Sequence, residues 1–124
     1  MLDFCTGTAS FLMEAGKHTT HLYGCENNEH RYTLAKCNFI LNNFDTNNLK
    51  YNSCFNEQYR CEYDKIIINP PFAVRCVDDE CELNTLNWKS YTSEQKFMVY
   101  ALELLKPGGY AAFIVPRSNI SANQ

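Results

Sequence analysis

Apolar residues fall in short blocks separated by polar turns, and the densest block is Ile66-Ile67-Ile68. Three consecutive β-branched residues predict a buried strand, which Pro70 ends. Met1 to Phe4 reads as the tail of an earlier strand. Phe11, Leu12, Met13 and Ala15 predict a helix capped by Thr8 or Ser10 and stopped at Gly16. A second strand is expected from Thr19 to Cys25, ending at Glu26. From Asn28 to Phe44 the residues Leu34, Cys37, Leu41 and Phe44 recur at steps of three and four, which predicts a helix burying that stripe. Asn27 or Asn28 would cap it. The turn from Asn42 to Asn48 ends it, and Leu49 to Phe55 reads as a third strand.

The polar stretch 56–63 follows, and Asp64-Lys65 leads into the isoleucine strand. Residues 73–93 show no clean period and are expected to form a mobile loop. A last helix is expected from Ser93 as cap, with Phe97, Ala101, Leu104 and Leu105 on one face. Lys106-Pro107-Gly108-Gly109 would end it as a turn. Tyr110 to Val115 reads as a final buried strand, closed by Pro116. This order of elements predicts an open α/β sheet in one domain over residues 1–124. No internal repeat is present.

Composition narrows the partners. The chain has 124 residues, 45% hydrophobic and 20% charged, with a formal net charge of −3. That balance argues against a large basic surface able to hold nucleic acid unaided. No apolar run reaches bilayer length, so no membrane association is expected. Seven cysteines without a secretion signal read as free thiols of a reducing, cytoplasmic compartment. Their spacing fits zinc poorly, and no metal site is expected.

Candidate chemistry falls at the carboxyl ends of the expected strands, where ligands bind in such sheets. Gly7 lies in a run of small residues between strand and helix, where the backbone can approach a ligand. Glu26 follows about twenty residues on, the spacing of a carboxylate that takes ribose hydroxyls. Alone it reads as a solvated loop acid; in register with Gly7, the ribose reading is preferred. Asn69-Pro70-Pro71-Phe72 supplies carbonyl acceptors and few donors, because proline has no N–H. Pro71 also holds Pro70 extended. With the flat face of Phe72, this corner could grip a planar group that bears an NH2.

These stretches together resemble the amino-methyltransferases that use S-adenosylmethionine and carry an Asn-Pro-Pro-Phe/Tyr motif. Within them the chain looks most like the N6-adenine DNA methyltransferases, in particular the modification subunits of type I restriction–modification systems. The resemblance runs through Leu2 to Leu12, Glu26, Asn69 to Phe72, and Leu104-Leu105-Lys106-Pro107-Gly108-Gly109 to Pro116. It implies a Rossmann-like, mostly parallel sheet of the class I methyltransferase type, apparently truncated at both ends. The expectation is a fragment of a longer protein, or a chain that another completes. The cofactor motif would be 2–12, and residues Asp3, Cys5, Thr6, Gly7, Thr8, Glu26, Asn27 and Asn69 would hold S-adenosylmethionine. Asp3 and the Gly7 turn would take its methionine part. Asn69, Pro70, Pro71 and Phe72 would be catalytic, with the amine donating to the Asn69 side chain and the Pro70 carbonyl and Phe72 stacking on the flipped base.

DNA is the implied substrate, reached through a separate recognition domain or a specificity subunit. The acidic run Asp78–Glu82 would repel a DNA backbone, which fits delegation of DNA binding to a partner. Three departures stand out: Ala9 replaces the usual second glycine, Phe4 replaces a proline, and the third expected strand ends without an acid. Other readings stay open: methylation of rRNA guanine N2 or a protein glutamine, or a degenerate fold acting as a non-catalytic module.

Overall fold

The computed structural model describes residues 1–53, 55, 62–71 and 91–117. The expected loop 73–93 lies mostly outside the described residues, as does Phe72. Five strands and three α-helices are described: β1 (Leu2–Asp3), α1 (Ser10–Ala15), β2 (Tyr23–Glu26), α2 (Glu29–Leu41), β3 (Leu49–Tyr51), β4 (Tyr63–Ile68), α3 (Ser93–Leu104) and β5 (Leu105–Phe113). The strands form one parallel sheet in the order β3-β2-β1-β4-β5. The chain builds outward from β1 through β2 to β3, then returns to the far side of β1 for β4 and β5. The strand order therefore reverses beside β1, which is where such sheets form a ligand crevice.

α1 and α2 pack on one face of the sheet and α3 on the other. Leu12, Leu22, Ala35, Phe39 and Leu49 form the core under α1 and α2. Leu2, Phe4, Ile66 and Ile68 meet Phe97, Tyr100, Ala101 and Leu104 of α3 on the other face. Leu2 pairs with both Tyr23 and Ile66, so β1, β2 and β4 run in register and end at the same edge.

Several expectations need correction. β2 is shorter than Thr19–Cys25 and includes Glu26, while β3 stops at Tyr51. Neither Thr8 nor Ser10 caps α1; the cap position is Ala9, in a left-handed conformation, without a side-chain hydrogen bond. Asn28 caps α2 as expected, its side chain accepting from the Arg31 N–H at 3.0 Å. The buried face of α2 is Ala35 and Phe39, whereas Leu34 is 42% and Leu41 79% exposed. Thr92, one residue before Ser93, caps α3 and forms a reciprocal capping box with Gln95. Leu105 leaves the helix and enters β5 directly. The Lys106–Gly109 stretch is an irregularity within that strand, between the pairs Tyr63–Leu105 and Lys65–Tyr110. β5 contains no fully buried residue, because it is the outermost described strand on its side of the sheet.

Candidate active site

Three parallel strands deliver their last residues side by side: Asp3 from β1, Glu26 from β2 and Ile68, followed by Asn69, from β4. A cavity of about 560 Å³ opens at this edge. Its size lies within the range of small-molecule sites, roughly 300–1,000 Å³. The β1–α1 loop contributes Cys5, Thr6, Gly7 and Thr8 to the lining, and the end of β2 contributes Glu26 and Asn27. Asn69, Pro70 and Pro71 close the other side. Asp3 stands behind this lining and is 1% exposed.

The loop is fastened by its own backbone and by three acidic or amide side chains. Gly7 has φ +56° and Ala9 φ +69°, so two residues of this short loop take the left-handed conformation. Asp3 Oδ1 accepts the Cys5 N–H at 3.0 Å. One Glu26 carboxylate oxygen accepts the Gly7 N–H at 2.9 Å, and the other accepts the Asn28 N–H at 2.8 Å. Glu26 thus joins the loop to the start of α2, although it is 7% exposed. Each oxygen keeps a second lone pair for a further donor. The Asn38 side-chain amide donates to the Thr8 carbonyl at 2.8 Å. Thr6 is a buried strut: its hydroxyl donates to the Asp3 carbonyl and accepts the Cys25 N–H at 2.9 Å. Gly24 makes room for that strut. A Cβ there would lie 2.6 Å from Thr6 Oγ1 and 2.7 Å from Leu49 Cδ1.

Electrostatics follow from this burial. Desolvation pushes the Asp3 carboxyl up to about 7, the Cys5 N–H bond opposes the rise, and the Glu26 charge adds to it. The proline side is different. Asn69 and Pro71 are exposed, Pro70 is buried, and neither proline offers an N–H.

Motif spacing did not single out several lining residues. Arg31 reaches the cavity from the first turn of α2, Phe97 from α3, and Phe4 and Phe11 from either side of the glycine loop. Position just after Glu26 was an available signal for Arg31, the cation of a lining whose other charge is Glu26. Phe97 packs on Phe4 with ring centroids 6.2 Å apart and planes 17° apart. Only the folded chain brings those two rings together.

A sheet of this strand order, with a glycine loop, a strand-end acid and an Asn-Pro-Pro corner on one cavity, has the architecture of a methyltransferase. The N-6 DNA Methylase family matches the chain over residues 1–124, and the chain belongs to that family. It is 29% identical over 139 aligned residues to the type II restriction enzyme and methyltransferase RM.BcgI of Heyndrickxia coagulans, covering 97% of this chain and 20% of that protein. Its fold is similar to that of the methyltransferase subunit of a type I restriction-modification system from Streptococcus thermophilus. That match has a TM-score of 0.79 at 19% identity, over 99% of this chain and 30% of the other. A SAM-dependent methyltransferase from Thiobacillus denitrificans, solved with S-adenosyl-L-homocysteine, matches with a TM-score of 0.55 at 16% identity, over 89% of this chain and 39% of the other. The chain therefore spans between a fifth and two fifths of these relatives. Among the described residues no helix is long and apolar enough to cross a membrane.

Proposed function

We propose that this chain is the catalytic core of an enzyme that methylates the N6 amine of adenine in DNA, using S-adenosylmethionine. The observation that carries the reading is the single cavity shared by the glycine loop, Glu26 and the Asn69-Pro70-Pro71 corner. The donor set fits the cofactor. Glu26 has lone pairs left for ribose hydroxyls, and Phe4, Phe11 and Phe97 offer apolar surface. Gly7 leaves open space where a side chain would stand: a Cβ added there would meet nothing within 4 Å. Asp3 supports the loop through Cys5, and its negative form is favoured when a cation binds nearby.

Bound S-adenosylmethionine supplies a sulfonium methyl that needs no further activation. The work of the chain is alignment and the treatment of the amine. An exocyclic amine is a weak nucleophile because its lone pair is delocalised into the ring. Asn69 Oδ1 and the Pro70 carbonyl would accept hydrogen bonds from its two N–H groups, which favours a pyramidal nitrogen with its lone pair exposed. The prolines add no competing donor. Stacking by Phe72 on the flipped base belongs to the same proposal and rests on the motif alone. Base flipping would cost a few kcal/mol. DNA recognition by a separate domain or a specificity subunit accords with the net charge of −3.

The alternative of a non-catalytic module drew on Ala9 in place of glycine. Ala9 nevertheless takes the left-handed backbone that glycine would supply, so the loop keeps its form. A tritiated-methyl assay that offers DNA, RNA and protein side by side tests the reading. Label in DNA, recovered as N6-methyladenine, is the expected result. Label confined to RNA or protein would move the substrate class, and no label in any of them would favour the module.

A further inference from the structure

The Thr8 carbonyl is held from outside the cavity. Thr8 lies between Gly7 and Ala9, both left-handed, and belongs to the lining. For Ala9 that conformation is intrinsically unfavourable, and no side chain caps the α1 start to hold it. The Ala9 N–H closes a short turn onto the Thr6 carbonyl at 2.8 Å, and the Gly7 N–H is taken by Glu26. The Ala9 carbonyl takes the Met13 N–H of α1 at 2.9 Å, and the Thr8 carbonyl is the point at which α2 reaches the loop. Its partner is Asn38, half-buried in α2, thirty residues along and not part of the lining.

Asparagine is a poor residue for a helix interior, since its side chain competes for backbone partners. Asn38 occupies the middle of α2, so local helix preference does not explain it. The same helix begins at the N-cap Asn28, whose N–H sits on Glu26. One rigid element therefore fixes both the acid and the loop.

We propose that Asn38 is a positioning residue. Its amide keeps the Thr8 carbonyl on the α2 side of the loop and so preserves the cavity for the amino-acid end of the cofactor. A released carbonyl turned inward would set its negative end against the cofactor carboxylate, a repulsive contact in a partly desolvated site. This inference rests on the cofactor reading above.

The test is calorimetric titration with S-adenosylmethionine and, separately, 5′-methylthioadenosine, which keeps the nucleoside and sulfur but lacks the amino acid. Asn38→Ala favours helix and should fold. It is expected to weaken S-adenosylmethionine about five- to tenfold, the factor that one ordinary hydrogen bond supplies. Binding of 5′-methylthioadenosine should change less than about twofold, within the scatter of a neutral surface substitution. Asn38→Asp keeps the shape but sets an oxygen against the carbonyl, and its loss should be at least as large. In the ligand-free chain, amide exchange at Ala9 should quicken in both variants. Equal weakening of both ligands, unchanged affinity for S-adenosylmethionine, or unchanged exchange at Ala9 would overturn the inference while wild-type binding stands. A wild-type chain that binds neither ligand would overturn the cofactor reading itself, and this inference with it.

Discussion

The loop wall of the cavity, Cys5 to Thr8, and the proline wall, Asn69 to Pro71, are built on opposite plans. On the loop wall, Asp3, Glu26, Thr6 and Asn38 side chains hold backbone groups in place. On the proline wall the last ladder bond runs from the Ile114 N–H to the Ile68 carbonyl at 3.0 Å, and the chain then turns through two residues that cannot donate. The first wall consumes polar groups to fix a shape. In the proposed reading, the second offers the Asn69 side-chain oxygen and the Pro70 carbonyl to an incoming amine. Substitutions on the loop wall should therefore act on binding and stability, and substitutions on the proline wall on chemistry.

Asn69→Ala offers the largest separation. Methyl transfer should fall about 10³-fold, the loss seen when one preorganised polar group is removed, while cofactor affinity changes little. Equal losses in both would make Asn69 structural and erase the contrast between the walls. Asp3 supplies the next effect, in stability. Its carboxyl sits near 7 when folded and near 3.8 when unfolded, so between those values the folded chain binds more protons. Unfolding free energy should thus decline as pH rises from about 4 to about 7, by roughly 3 kcal/mol. Asp3→Asn should flatten that decline in denaturant titrations, and a slope that persists would point to other groups. Glu26→Gln comes third. One amide nitrogen would then face a backbone N–H, and calorimetry should find cofactor binding weakened about 10- to 100-fold. The smallest effect is a gain: Ala9→Gly relieves a left-handed alanine and should raise stability by about 0.5–1 kcal/mol, read by thermal melting.

The helices show how far sequence reading reached. On α3, Phe97, Ala101 and Leu104 were expected to face inward and do. On α2, the stripe of Leu34, Cys37 and Leu41 has the same period but faces outward. Ala35 and Phe39 carry a competing stripe, and contact with Leu12, Leu22 and Leu49 chooses between them. Periodicity finds a helix but cannot orient one that offers two apolar faces. The sheet and its cavity-bearing edge were legible because Gly7, Glu26 and Asn69 fall at or just beyond strand ends. Arg31, Phe97 and Asn38 were not, since helix packing brings them to the site and motif spacing does not. The expectation of a buried β5 failed for a related reason: apolar content reports a strand, while exposure depends on which neighbours flank it.

Gly24 carries a consequence for how this lineage can vary. The rim of the cavity can change its residue types, since Arg31, Asn69 and Pro71 are exposed. Behind the loop, position 24 has less freedom, because a Cβ there would collide with the Thr6 hydroxyl and the Leu49 side chain. Variation is therefore expected at the entrance before position 24, where a side chain would push the Thr6 strut and Leu49 apart at a cost of about 1–3 kcal/mol.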